Sequence, residues 1–291
     1  MKLLIITHDV LAYENSKKKM RWTRFPYLFK NFGHYVILVR KPEWWKYPFL
    51  YFKHKPDIVI SVGKIAGLIT GFHHLLPGKR KAIFVHDLTD HFEVYKSERR
   101  IWFLRNNHDY VTAPSMYNLS KFNCHDYIPN GSDFIPANDF TEKEFDAAYI
   151  GQTQALYDIE NLKKNCIENK LKLVIVTHMP YEQLPLLLSK CRVAVYPISW
   201  DSSVKMYDYA ALGMPVVAPK PNIAEKINYP AYYCEDLGKG IKYLIQNPKK
   251  AEACGKKLRK WFEEHSGNWE SQSKKYLKIL EKYLEIKKCA A

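Results

Sequence analysis

The stretch Ser202-Ser-Val-Lys-Met-Tyr-Asp-Tyr-Ala-Ala-Leu-Gly-Met-Pro-Val-Val-Ala-Pro219 decides the reading of this chain. It predicts a helix that stops at a glycine and turns at once into a buried strand. Ser202 or Ser203 is a natural N-cap, because a hydroxyl there accepts from the N–H groups of the first turn. Gly213 supplies the stop, and residues 214–218 form the strand. Lys205 and Asp208 are three apart and therefore share one helix face. A helix start attracts anions, since its N–H groups and its dipole point at the ligand. A lysine there suits phosphates and a carboxylate suits hydroxyls, the two halves of a sugar nucleotide. The alternative is an ordinary helix of an α/β domain that carries a surface ion pair.

Outward from this stretch, strand and helix patterns alternate. Strands are predicted over residues 2–7, 34–40, 57–62, 81–86 and 109–112, with helices over 16–31, 64–76, 102–107 and 115–122. The polar run 132–144 reads as a linker. Alternation then restarts, with strands over 145–150, 172–177, 193–197 and 231–234. The matching helices cover 156–168, 181–190, 237–246, 248–265 and 268–287. The expected class is α/β, with two Rossmann-like, doubly wound parallel sheets. The expected domains are 1–138 and 139–268, followed by a terminal helix over 269–291. In such sheets ligands bind beyond the carboxyl ends of the strands, at the switch point of strand order.

Five stretches, in order along the chain, resemble one known group. Gly33-His-Tyr-Val-Ile-Leu-Val39 resembles its G-H-x-V opening of the second strand, and Ile128-Pro-Asn-Gly-Ser-Asp133 its I-P-N-G-V-D. Tyr181-Glu-Gln-Leu-Pro-Leu-Leu-Leu188 with Val193-Ala-Val-Tyr-Pro197 resembles Y-E-x-L-P-x-L-L … D-V-x-V-x-P. The 202–219 segment resembles its donor-site helix, and Trp269-Glu270 its closing W-E. The group is the GT-B glycosyltransferases, nearest to family 4 (glycosyl transferases group 1). The S-x-K of the helix is also similar to xanthan-type glucuronosyltransferases, which invert. The resemblance implies two domains facing a cleft, a C-terminal helix that crosses back to the first domain, and transfer of a sugar from a UDP- or GDP-linked donor. It implies no metal or other cofactor, because helix dipoles and basic side chains neutralise the leaving diphosphate.

The resemblance also assigns candidate residues. Lys205, with Ser202 and Ser203, would contact the phosphates, and Asp208 would face the donor sugar or ribose. Family members carry a spaced pair of glutamates around this helix. Here the second falls on Asp208 and the first on Trp200, with Asp201 beside it. Gly151, Gln152 and Thr153 stand where the family has a glycine and a basic pair that grips the diphosphate. His178 and Met179 stand where it holds the nucleobase. His86 and Asp87 end the fourth strand, where a histidine lies near the donor sugar; Asp87 would serve as general base in an inverting reaction. Each has a plainer alternative: a structural histidine, a turn, a solvated lysine. His8 and Asp9 end the first strand, and a lysine run replaces the family's glycine-rich loop there, so the acceptor is expected to be unusual.

The bulk numbers fit this frame. The chain has 291 residues, is 47% hydrophobic and carries a net charge of +15. No apolar run approaches the roughly 18 residues of a membrane span, and the first residues lack the marks of a signal peptide. The six cysteines show no metal-ligand or C-x-x-C spacing, so thiols in a reducing cytoplasm are expected. The positive charge is concentrated early, in Lys17–Phe25 and Lys41–Lys53, where it is interleaved with Trp, Tyr and Phe. That composition suits a membrane interface and a lipid-linked or otherwise membrane-near glycan acceptor. No nucleic-acid-binding module is visible, so nucleic acid is not expected as a partner. Two rival readings are a sugar-nucleotide epimerase and a non-catalytic scaffold that binds membrane or nucleic acid.

Overall fold

The computed structural model describes residues 1–7, 21–75, 82–89, 97–136, 142–151, 158–199, 201 and 203–290. The chain forms two compact units, Met1–Asn130 with Trp269–Ala291, and Gly131–Asn268. The division precedes the polar run read as a linker. Its first residues already belong to the second unit: the Ser132 N–H donates to the Gly267 carbonyl at 2.8 Å, and Phe134 is buried in that unit's core.

The first unit holds strands β1 (Lys2–Thr7), β2 (Tyr35–Arg40), β3 (Ile58–Val62), β4 (Ile83–Asp87), β5 (Tyr110–Ala113) and β6 (Asp126–Tyr127). All pair in parallel, in the order β2-β1-β3-β4-β5-β6. β3 and β4 are buried at every residue, which explains their unbroken apolar reading. The Trp269–Ala290 helix packs on the Arg21–Asn31 helix: the Trp269 ring meets Phe25 edge-on at 5.7 Å, and Tyr276 touches Trp22, Phe25 and Phe29.

The longest element that the sequence does not announce lies between β2 and β3; the short β6 strand is another. Tyr47–His54 is a helix, preceded by a 3₁₀ turn over Lys41–Lys46. Prolines open both, in first-turn positions where a missing N–H costs nothing.

The second unit holds β7 (Phe145–Ile150), β8 (Leu173–Val176), β9 (Cys191–Val195), β10 (Val216–Pro219) and β11 (Tyr232–Cys234), all parallel, in the order β11-β10-β9-β7-β8. The pleat sorts its side chains onto two cores. Ala148, Ile150, Ala194, Tyr196, Val216 and Ala218 face one; Ala147, Tyr149, Val193, Val195 and Val217 face the other. Strand order reverses at β7, between β8 and β9, so the switch point lies at the carboxyl ends of β7 and β9.

The helix of the 202–219 segment spans Val204–Ala211, and it is seated by three devices. Met206 to Ala211 are all buried, and Tyr207 packs on Trp261 of the Pro248–Glu264 helix. Its end is a Schellman turn: Gly213 adopts φ +63°, its N–H donates to the Ala210 carbonyl, and Met214 N–H donates to the Tyr209 carbonyl. Gly255 of the neighbouring helix approaches that turn so closely that an added Cβ would lie 2.2 Å from the Gly213 carbonyl oxygen. Backbone offers no flexible side chain to yield there. Gly255→Ala is therefore expected to destabilise the protein by about 1–3 kcal/mol or more. The urea midpoint measures it, and an unchanged midpoint would contradict this seating.

Candidate active site

At the end of β7 the chain turns through Gly151, whose φ of +133° is open to glycine and strained for other residues. The site occupies the space that a Cβ would fill: a Cβ built on Gly151 would lie 2.5 Å from Lys205 Nζ and 3.2 Å from the Tyr149 hydroxyl. The Lys205 ammonium donates to that hydroxyl at 2.9 Å and sits 4.3 Å from the centre of the Tyr149 ring. Tyr209, one turn further along the helix, accepts a hydrogen bond from the Ile150 N–H at 3.0 Å. That bond joins the helix to the strand end directly beside Gly151. Ser203 is the N-cap residue in extended conformation, and its side chain makes no capping bond. The site is thus a helix start and a lysine gathered at the sheet's switch point.

Asp208 lies one turn along from Lys205 and is buried. Its Oδ1 accepts from Ser132 Oγ at 2.6 Å and from the Tyr181 hydroxyl at 2.8 Å. Ser132 Oγ in turn accepts from the Phe134 N–H at 3.0 Å. Burial pushes the Asp208 carboxyl up to about 7, against the pull of the two hydroxyl bonds and of Lys205. Burial likewise pushes Lys205 down to about 7, with Asp208 opposing. Each charge is held short of full development because water has been removed from both.

Ser132 and Tyr181 were missed as functional candidates, although both lie in stretches quoted for the family resemblance. They read there as marks of fold, and nothing local in the sequence shows that both converge on Asp208. Tyr149 was hidden within a core strand. His178 is exposed and Met179 half-buried, two and three residues beyond Val176; Val176 pairs with Ile150, so both emerge one strand over from Gly151. Gln152, Thr153 and Ser202 lie outside the described residues, as do Trp200, His8, Asp9 and the lysine run 17–19.

His86 and Asp87 are in the first unit, and the structure turns both inward. His86 is fully buried, with Nδ1 2.9 Å from Ser61 Oγ; Gly67 leaves room for its ring, since an added Cβ would come within 2.6 Å. Burial pushes this imidazole down to about 3. Asp87 has no exposed surface and four close donors: Arg21 Nε at 2.7 Å and Nη2 at 3.0 Å, Trp22 Nε1 at 2.6 Å, and Thr112 Oγ1 at 2.7 Å. Arg21 Nη1 also donates to the carbonyls of Ile128 and Pro129, so this carboxylate anchors the Arg21–Asn31 helix to the end of β5 and the segment after β6. A general base needs a lone pair aimed at substrate; here the donors occupy them.

No family model matches this chain, and no curated protein does. Solved structures do match. Sucrose-phosphate synthase from Thermosynechococcus elongatus superposes with a TM-score of 0.76 at 12% identity, over 98% of this chain and 99% of that one. HepE from Anabaena, in complex with UDP and glucose, gives 0.67 at 12% identity over 97% and 100%. UDP-GlcNAc 2-epimerase from Neisseria meningitidis, bound to UDP-GlcNAc, gives 0.58 at 12% identity, again over 97% and 100%. The fold is GT-B. At these identities the likeness is one of architecture. The GT-B frame accounts for two parallel sheets of six and five strands with helices between them.

The buried Lys205 and Asp208 make stability depend on pH. Lys205 binds its proton more weakly folded than unfolded, so its penalty is full below pH 7 and fades as pH rises toward the ordinary lysine value near 10.5. Asp208 binds its proton more tightly folded, so its penalty is absent below about pH 4 and full above 7. The stability gain of Lys205→Met over the parent protein should therefore shrink between pH 7 and 10.5. The gain of Asp208→Asn, whose carbonyl still accepts both hydroxyl bonds, should grow between pH 4 and 7. Urea midpoints across pH measure both, and flat differences would refute the assignment. In the first unit, Asp87→Ala leaves the Arg21 guanidinium uncompensated and should cost about 3–5 kcal/mol. An unchanged urea midpoint accompanied by lost turnover would instead restore Asp87 as a catalytic base.

Proposed function

We propose that this chain transfers a sugar from a UDP- or GDP-linked donor to an acceptor hydroxyl. The observation that carries the proposal is the desolvated Lys205 ammonium, held over Gly151 beside a helix start at the switch point of the second sheet. As the bond between the anomeric carbon and the diphosphate breaks, negative charge collects on the leaving phosphates. A buried cation and a helix dipole stabilise that charge far better than water-exposed groups would. Binding a diphosphate would also restore the proton affinity that burial takes from Lys205. Ser203, with Ser202, would contribute hydroxyls, Gly151 to Thr153 the close backbone approach, and His178 with Met179 the nucleobase side. Asp208 would order this pocket through Ser132 and Tyr181 and orient the donor's hydroxyls. On this reading no metal is needed, because the lysine and the helix supply the neutralising charge.

Support for the class of donor comes from the neighbours' own ligands, UDP with glucose in HepE and UDP-GlcNAc in the epimerase. We place the acceptor on a lipid-linked or membrane-near glycan and the protein at the cytoplasmic membrane face, as a peripheral enzyme of polysaccharide or glycolipid synthesis. No helix among the described residues is long and apolar enough to cross a membrane. The epimerase reading is kept only because the same fold serves that chemistry in a structural neighbour.

A thermal-shift panel of UDP, GDP and their sugar conjugates tests the donor site. At about a hundredfold excess over Kd, the matching nucleotide should raise the melting temperature by roughly 5 °C or more. Lys205→Met should abolish the shift and lower turnover by about 10²-fold or more. No shift with any nucleotide, or an intact shift in Lys205→Met, would sink the proposal. Product analysis without acceptor separates epimerisation, which would yield an isomerised sugar nucleotide, from transfer.

A further inference from the structure

We propose that the outward face of the 45–52 segment of the first unit docks on an anionic lipid bilayer. Phe49 and Phe52 are three apart on the Tyr47–His54 helix, and Trp45 stands in the 3₁₀ turn that leads into it. Trp45, Phe49 and Phe52 are 75%, 64% and 44% exposed. The opposite face of the same segment is already used: Tyr47, Leu50, Tyr51 and Trp44 pack onto the core that contains Leu4, Val39 and Phe84. The helix is therefore apolar on both sides, and its outer side carries large aromatic rings where a surface helix ordinarily carries polar groups.

The charges around these rings choose the partner. Residues 40–55 carry Arg40, Lys41, Lys46, Lys53 and Lys55 against a single acid, Glu43, which pairs with Lys46 at 2.6 Å. Lys46 Nζ lies 5.4 Å from the Trp45 ring centre, and Lys53 Nζ lies 5.8 Å from that of Phe49. Rings flanked by ammonium groups on long stems match the headgroup layer. The rings enter the acyl boundary and the stems let the cations remain with the phosphates. A second copy of the chain fits this surface poorly, because a two-fold contact would press like charge against like charge.

The proposal deepens the membrane-near acceptor reading and rests on it for its purpose; docking and nucleotide binding are nevertheless measured separately. The full chain is sedimented with vesicles of phosphatidylglycerol and phosphatidylcholine, and with phosphatidylcholine alone. Strong binding to the anionic vesicles is expected, weakened by salt, and reduced at least tenfold in the triple variant Trp45→Ser, Phe49→Ser, Phe52→Ser. The nucleotide-induced thermal shift should survive in that variant, so the docking surface and the donor site can fail independently. Quenching of tryptophan fluorescence by brominated lipid, seen in the parent protein and lost in Trp45→Phe, gives a second readout should the triple variant fold poorly. The proposal is overturned if the parent protein ignores anionic vesicles, or if the triple variant binds them undiminished. It is equally overturned if the three rings prove to hold a dimer together or to bind single-stranded nucleic acid in preference to lipid.

Discussion

Removing water from the Lys205 ammonium is the constraint on which the second unit turns. An ammonium is among the most strongly hydrated side-chain groups, and the protein offers it a phenol oxygen, an aromatic face and the partial charge of a buried carboxylate. Burial still lowers the lysine's proton affinity. The lysine and Asp208 both come to titrate near neutrality, which leaves the pocket electrostatically unfinished at the pH where it would work. The donor diphosphate of the proposed function would complete it. On the proposed function, the same stored imbalance would weaken the unliganded fold and favour a phosphate-bearing donor.

The Val204–Ala211 helix is positioned by buried apolar residues, by a Schellman turn pressed against Gly255, and by the hydrogen bond from the Ile150 N–H to the Tyr209 hydroxyl. Gly151 then leaves the opening into which Nζ reaches. Rigid packing around two unsettled charges is a sensible division of labour. Packing fixes position to a fraction of an ångström, whereas exposed ion pairs do not. The first unit shows the opposite arrangement. Asp87 meets a guanidinium, an indole and a hydroxyl, and the charge is consumed in holding a helix to the end of a sheet.

Much of this is legible in the sequence. The alternation of apolar runs and amphipathic segments gives the two parallel sheets, because strands buried on both faces must be continuously apolar. The helix–glycine–strand order expected for residues 202–219 holds, but the helix begins at Val204 without a capping bond from the Ser203 hydroxyl and the strand begins at Val216 instead of residue 214. The Tyr47–His54 helix did not show, since Pro48 and its two aromatic faces mask any helical period. His86 and Asp87 were legible as strand-end residues. Their inward direction was not, because it depends on Arg21, Trp22 and Ser61, which are distant in sequence.

The sequence by itself determined the class of fold, the order of most of its elements, the concentration of positive charge and aromatic rings in the early residues, and the helix that carries Lys205 and Asp208. These follow from local periodicity and from turn chemistry, which act over a few residues. Only the tertiary structure decided which polar groups keep a free role and which are spent on the fold. It brought Ser132 and Tyr181 onto Asp208, closed four donors around Asp87, and turned Trp45, Phe49 and Phe52 outward. Hydrogen-bond saturation and desolvation are properties of a packed neighbourhood, and that neighbourhood is assembled from residues tens of positions apart.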